Sequence, residues 1–321
     1  MLVKGNFQDD KKGCYFIYDA DDRNDMDGRK SAPRTRRDRH ALKKISVNNL
    51  KILTPILEID MQQAPIQFTD GSAYERFMGI WSRSAGDIFL DWLSPVPDLH
   101  WLDVGCGNGA FTEAVISRCK PRSIIGIDPS PEQIEFARQR ENVSPGQFDI
   151  GDAMDLPYDK DKFDVAIMAL VLFFVPQPSQ GLAEMRRVVV EGGTIAAYTW
   201  DILGGGFPAH DLHDEMRALG YPPRLPPSAE ASRMDVMKDL WRDAGLEDIE
   251  VKEIMVDRTF DDLDDYWVLN CLSPSVSSTL KTIALRDIDK LKQRLKERLS
   301  TSQNGDITVS ARANAVTGRV T

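Results

Sequence analysis

The sequence predicts a doubly wound α/β fold, a mostly parallel sheet of seven strands flanked by helices. Three observations carry that prediction. Between His100 and Asp128 an apolar run is followed by a glycine-rich loop, a helical pattern and a second apolar run ending in an acid. Short apolar runs then alternate with amphipathic stretches as far as Trp200, the rhythm of βα units. The first run, Leu99 to Val104, is apolar on both faces, as a central parallel strand is.

Residues 1–60 stand apart. An acidic cluster (Asp19, Asp21, Asp22, Asp25, Asp27) precedes a basic one (Arg29, Lys30, Arg34, Arg36, Arg37, Arg39, Lys43, Lys44), and apolar periodicity is absent until Ile45. Such a segment buries too little surface to offset its ordering entropy. It is expected to be a disordered leader, or upstream sequence before a natural start at Met61. An electrostatic tail for RNA or acidic lipid is the competing reading. Residues 61–321 are expected to form the folded domain, with its core over 98–200 and an insert on the substrate side over 201–245.

Helical spacing runs from Ser72 to Leu93 through Tyr74, Phe77, Met78, Trp81, Ile88, Phe89, Trp92 and Leu93. Ser94-Pro95 and Pro97 end it. After the first strand, Gly105, Gly107 and Gly109 form a loop in which backbone can pass close to a ligand. The helix from Ala110 to Cys119 points its amino end at that loop, where free N–H groups favour a carboxylate. Ser123 to Asp128 is the second strand. Its terminal acid is placed to accept hydrogen bonds from ribose hydroxyls.

Pro129-Ser130-Pro131 opens a helix through Arg140, with Pro131 tolerated in its first turn. Gly146 to Ile150 is the third strand and Phe163 to Leu170 the fourth. The apolar run continues through Val171, Leu172, Phe173, Phe174 and Val175 to Pro176. A helix over Pro178 to Val190, a turn at Glu191-Gly192-Gly193 and a fifth strand from Thr194 to Trp200 follow. Gly204-Gly205-Gly206 reads as a flexible hinge. Helices are expected at Ala209–Leu219, Met234–Ala244, Asp261–Leu272 and Thr279–Leu299, and strands at Ile249–Val256 and Asp306–Val320. There is no internal repeat.

Composition narrows the function. The 321 residues carry a formal net charge of -10, against the basic face that phosphate contact needs. Nucleic acid is therefore not the expected partner. The four cysteines, Cys14, Cys106, Cys119 and Cys271, have neither C-x-x-C spacing nor a nearby histidine. They read as reduced thiols of a cytoplasmic protein, not as a disulfide frame or metal site. No apolar run approaches the ~20 residues of a membrane span, and no signal peptide is visible.

The glycine loop fits two ligand classes. Gly105-Cys106-Gly107-Asn108-Gly109-Ala110 matches the G-x-G-x-x-G/A pattern of dinucleotide sites. Three features oppose that reading. Asp103 at the loop entrance would face two pyrophosphate charges at low local dielectric, whereas an ammonium group would suit it. Gly109 extends the pattern to D-x-G-x-G-x-G. Gly151-Asp152-Ala153-Met154-Asp155-Leu156-Pro157 follows the third strand, where an adenine edge would be read.

In order and spacing, LDVGCGNG, IIGIDPS and GDAMDLPY resemble the class I S-adenosylmethionine-dependent methyltransferases. The likeness is to the branch holding quinone-ring C-methyltransferases and many small-molecule methyltransferases. It covers roughly Tyr74 to Trp200. The resemblance implies the Rossmann-like methyltransferase fold with strand order 3-2-1-4-5-7-6, the last strand inserting antiparallel beside the fifth. It implies S-adenosyl-L-methionine as cofactor. Asp103 would hold the methionine ammonium, with Gly105, Cys106, Gly107 and Gly109 lining the backbone approach. Asp128, Pro129 and Gln133 would lie at the ribose, Asp152 and Ala153 at the adenine edge, and Leu170 at the end of the fourth strand.

Tyr74, Trp81, Arg83, Phe173, Trp200 and His210 are the candidates for contact with the methyl acceptor, a small, partly apolar molecule. Many relatives carry a polar or histidine pair where Phe173 and Phe174 stand, so no histidine base is expected there and no catalytic residue is assigned. His210 and His213 share a helix face but lack a third ligand, and no metal is expected. A non-catalytic protein that retains the nucleoside pocket, and a dinucleotide-dependent oxidoreductase, are the alternatives.

Overall fold

A computed structural model describes residues 71–144 and 146–321. The expected leader lies outside the described residues. Among the described residues seven strands form one sheet in the order β3-β2-β1-β4-β5-β7-β6. They are β1 (His100–Val104), β2 (Ser123–Asp128), β3 (Gln147–Ile150), β4 (Phe163–Ala169), β5 (Val189–Trp200), β6 (Glu247–Phe260) and β7 (Ile307–Arg319). The first five pair in parallel. β7 runs antiparallel between β5 and β6, from Thr194↔Arg319 to Trp200↔Ala313 on one side and out to Phe260↔Ile307 on the other. The carboxyl ends of the parallel strands and of β6 therefore share one edge, the place where open α/β sheets bind ligands.

Alternation along β5 builds a core on each face. Ala196, Tyr198 and Trp200 face one apolar cluster, while Ile195 and Ala197 face another. Helix α1 (Gly71–Leu93) buries Met78, Trp81, Ala85 and Phe89 in the first cluster, the three-to-four spacing of a single helical stripe. Phe89 lies 4.7 Å from Tyr198, centroid to centroid. On the opposite face α4 (Pro178–Val188) contributes Leu182 and Met185, and α6 (Met234–Asp243) contributes Met237 and Trp241. The Trp241 indole N–H donates to the Ile195 carbonyl at 3.0 Å, so this buried ring leaves no polar atom unpaired.

Helices α2 (Ala110–Cys119) and α3 (Pro131–Arg138) complete the first two βα units, and α5 (His210–Ala218) follows β5. The expected helix over Thr279–Leu299 is corrected to two, α8 (Pro274–Leu280) and α9 (Leu285–Arg298), after α7 (Leu263–Cys271). Between them Ile283 is drawn into the first core, and burial of that side chain outweighs helical continuity. β5 begins at Val189 rather than Thr194. Gly192 adopts φ +77 and the pairing with β4 slips between Phe163 and Val165, which marks a bulge.

The expected hinge at Gly204-Gly205-Gly206 is instead a pinned turn. The Gly204 amide donates to Asp201 Oδ1 at 2.9 Å, the Gly206 amide to the Asp201 carbonyl at 2.7 Å, and Arg312 Nη2 holds Asp201 Oδ2 at 2.5 Å. Among the described residues no helix is long and apolar enough to cross a membrane.

Candidate functional site

The site is assembled at the carboxyl ends of β1 and β2. Gly105 (φ +76), Gly107 (φ +52) and Gly109 (φ +78) all take left-handed backbone, which side chains with a Cβ resist. The Gly105 and Cys106 amides both donate to the Ile127 carbonyl, at 2.7 and 3.1 Å. The loop is thereby folded back onto β2. Its inner side is tight: a Cβ on Gly105 would lie 2.5 Å from either Val171 methyl carbon. A Cβ on Gly107 would meet nothing within 4 Å. Cys106 is inward filler, its sulfur 2.8 Å from where a Cβ on Gly126 would sit. Burial pushes its thiol well above the ordinary range, so it is not a reactive nucleophile.

Asp128 bridges loop and helix. Its Oδ2 accepts from the Gly107 amide at 3.0 Å and its Oδ1 from the Ser130 amide at 2.9 Å. Burial pushes its carboxyl upward in pKa, against the pull of these two amides. Ser130 caps α3, its hydroxyl accepting from the Gln133 amide at 3.3 Å. Gln133 is buried and Pro129 exposed beside it.

Asp103 is 2% exposed. Thr112 Oγ1 donates to its Oδ2 at 2.6 Å, while its Oδ1 is buried without a hydrogen-bond partner. Burial is the largest influence on it. With the nearby Asp128 charge it raises the carboxyl to about 7, against the Thr112 hydrogen bond. Thr112 was not singled out from the sequence. The signal was a threonine on the stripe of α2 that also carries Val115 and Cys119, both buried, where an apolar residue would be expected.

Leu170 follows β4 with φ +62, a strained backbone for a leucine. Its amide donates to the Tyr198 carbonyl at 2.8 Å, and the turn it makes sets Val171 against Gly105. Phe173 lies buried in the short 3₁₀ turn Leu172–Phe174, 4.5 Å from the Phe174 ring centroid. Asp152 forms a turn after β3, its Oδ1 accepting from the Met154 amide at 2.8 Å. It is exposed, with Ala153 half-buried beside it.

Trp81 and Trp200 are brought together, ring centroids 6.5 Å apart and edge to face. They are 2% and 1% exposed, so both are core in this conformation. Arg83, two residues on in α1, is exposed. The Tyr74 side chain lies outside the described residues. His210 opens α5 and pairs through Nε2 with Asp214 Oδ2 at 3.1 Å. His213, on the same helix, is buried, stacks on Phe207 at 5.1 Å, and is pushed down to about 3 chiefly by burial. Among the described residues no group of three or more His, Cys, Asp or Glu could hold a metal ion.

Residues 102–197 match the family described as a methyltransferase domain. A 37.1 kDa protein in transposon TN4556 of Streptomyces fradiae is 37% identical over 131 residues, 40% of this chain and 38% of that one. A chloroplastic 2-methyl-6-phytyl-1,4-hydroquinone methyltransferase of Oryza sativa is 37% identical over 95 residues, 30% of this chain and 27% of that one. The chain thus matches well under half the length of these relatives. Among solved structures, the YcgJ protein of Bacillus subtilis superposes with a TM-score of 0.50 at 17% identity, over 74% of this chain and 98% of that one. That likeness concerns the fold.

Proposed function

We propose that the chain is a class I S-adenosylmethionine-dependent methyltransferase that methylates a small, partly apolar acceptor; the match of residues 102–197 to a methyltransferase domain supports the reading. The observation that carries the proposal is the pair of acids across the glycine loop. One is buried with an orphaned oxygen; the other is tied to the loop by the Gly107 amide. A cationic amino-acid nucleoside fits both. Its ammonium would satisfy Asp103, its ribose hydroxyls would bond Asp128, and the open space beside Gly107 would admit its backbone-hugging chain. A dinucleotide would instead set phosphate charge against Asp103.

The bound cofactor supplies an electrophilic sulfonium methyl. The protein's part is to bind, orient and exclude water. Displacement requires the acceptor atom in line and about 3–3.5 Å from the methyl carbon, so positioning can supply most of the rate. The edge where the acceptor would lie is backed by buried apolar side chains: Leu170 just after β4, Phe173 in the 3₁₀ turn that follows, and Trp200 at the end of β5. Their apolar character supports an apolar acceptor, as does the phytyl-bearing hydroquinone for which the Oryza sativa relative is named. A cytoplasmic setting is supported by Cys106, Cys119 and Cys271, all free thiols.

The test is incubation of a cell extract with the protein and deuterated-methyl S-adenosylmethionine, followed by mass spectrometry. One labelled small molecule is expected. Cofactor binding without any labelled product would favour a sensing or scaffolding role.

A further inference from the structure

We infer that Arg140 is a positioning residue for the glycine loop, holding it in its ligand-ready path before any ligand arrives. The inference rests on the cofactor reading above and deepens it. The loop from Gly105 to Gly109 has little restraint of its own. Three of its five residues are glycines in left-handed backbone, and glycine loses more chain freedom on ordering than any other residue. Its path is therefore set by what holds it. On one side the Gly105 and Cys106 amides are tied to the Ile127 carbonyl, and the Gly107 amide to Asp128. On the other side Arg140 Nε donates to the Asn108 carbonyl at 2.6 Å. Asn108 is 4% exposed, and its Oδ1 accepts from the Ala110 amide at 3.2 Å. With the Asn108 carbonyl turned to Arg140, the amide on the other side of the same peptide, that of Gly109, meets the Cys106 carbonyl at 2.9 Å. One contact thus fixes the last peptide plane of the loop.

Arg140 is itself held. Its Nη1 donates at 2.7 Å to Oε2 of Glu113, in the first turn of α2, and Asn142 Nδ2 donates at 3.0 Å to Oε1 of the same carboxylate. Its guanidinium carbon lies 5.9 Å from the Phe136 ring centroid. The end of α3 is in turn tied to the sheet, Arg138 Nη2 donating to the Phe148 carbonyl of β3 at 2.7 Å. The loop is seated on the same support: a Cβ on Gly109 would lie 3.0 Å from the Ala137 Cβ and 3.2 Å from the Phe148 ring. The Arg140 side chain is 15% exposed and that of Glu113 29%, so water competes less for this pair than for a surface ion pair.

The arrangement calls for a guanidinium. One side chain donates in two directions, to a main-chain carbonyl and to a carboxylate, and a planar fork does both without reorganising, which an ammonium on a flexible stem does not. With the loop set beforehand, none of the binding free energy goes into ordering its glycines. Loss of Arg140 must then cost affinity by loosening the free loop, and a bound ligand must restore the lost order. Exchange of the loop amides reads this directly, because the Gly105, Cys106, Gly107, Gly109 and Ala110 amides are all hydrogen-bonded in the folded loop.

The experiment is amide hydrogen exchange on the full chain, with and without saturating S-adenosylhomocysteine, alongside calorimetry with the same probe. In Arg140→Met the loop amides of the free protein should exchange about tenfold faster or more while β1 and β4 keep their native rates. S-adenosylhomocysteine should return the loop to the native rate, and its Kd should rise about tenfold. Arg140→Lys should recover part of both losses. Glu113→Gln, which keeps an acceptor for Arg140 but not the charge, should fall between the native protein and Arg140→Met. Native loop exchange and native Kd in Arg140→Met would overturn the inference. So would a sheet that loosens as much as the loop, since Arg140 would then only stabilise the fold. If the native protein binds no S-adenosylhomocysteine, the cofactor reading falls, and the free-protein exchange still decides whether Arg140 holds the loop.

Discussion

Val171 lies against Gly105 so closely that a Cβ on the glycine would sit 2.5 Å from both of its methyl carbons. The contact joins the end of β4 to the loop after β1, and it depends on the left-handed turn at Leu170. Gly105→Ala meets both this clash and an unfavourable φ of +76. A destabilisation of about 1–3 kcal/mol is expected, with loss of measurable S-adenosylhomocysteine binding. Adding Val171→Ala removes the two 2.5 Å contacts but leaves the Val171 Cβ at 3.0 Å, and it leaves the backbone strain. The double variant should recover part of the lost stability, as read by chemical denaturation.

Asp128 holds the loop and is assigned the ribose. Asp128→Ala removes acceptors from the Gly107 and Ser130 amides as well as from the sugar. S-adenosylhomocysteine binding should weaken tenfold or more, in line with ~1.5–3 kcal/mol for hydrogen bonds to a charged group. Calorimetry measures it, and unchanged affinity would remove Asp128 from the site.

Asp103 should also leave a mark on the stability of the ligand-free chain. Its folded carboxyl, about 7, lies above the unfolded value of about 3.9. The folded state therefore holds the proton more tightly, and stability is lost as pH rises from about 4 to about 7. The loss is on the order of 2–4 kcal/mol. Asp103→Asn, which cannot ionise, should be the more stable protein at pH 7.5 and close to the native one at pH 4. Denaturation midpoints at the two pH values give the comparison, and a variant weaker at pH 7.5 contradicts it.

Helix α5, which follows β5, is fastened to α9 by ion pairs. Arg298 of α9 reaches Asp211 at 2.5 Å, Asp214 at 2.7 Å and Glu215 at 3.3 Å on α5, and Arg294 also pairs with Glu215. Glu215 is buried but its partners are partly exposed, so the network is worth about 1 kcal/mol rather than the sum of its contacts. Arg298→Met should speed amide hydrogen exchange across residues 210–218 more than across the sheet, and 0.5 M salt should reproduce part of the effect on the native protein.

Much of this arrangement is legible in the sequence. Central strands are apolar on both faces, and β1, β2 and β4 are delimited by such runs. The bounds of α2 and β2 agree with expectation because Gly109 and Asp128 mark real backbone events. The strand order follows from the resemblance, since the pairing of β7 leaves no local trace. Other features are set by tertiary contacts. Ile283 breaks a helix without a glycine or proline to announce it. Glu247 to Phe260 is longer than its apolar centre suggests, because β7 pairs it along a charged outer face. Asp201 and Arg312, far apart in the chain, convert three glycines into a fixed turn. Thr112 and the strained Leu170 acquire meaning only beside Asp103 and Val171.

A crystal structure of the full chain with S-adenosylhomocysteine tests the central claim most directly. The amino group should lie within hydrogen-bond distance of Asp103 or of a water it holds, the thioether beside Gly105 and Gly107, and both ribose hydroxyls on Asp128. A ligand bound elsewhere, or a loop whose path is filled by side chains with the nucleoside excluded, would contradict the account.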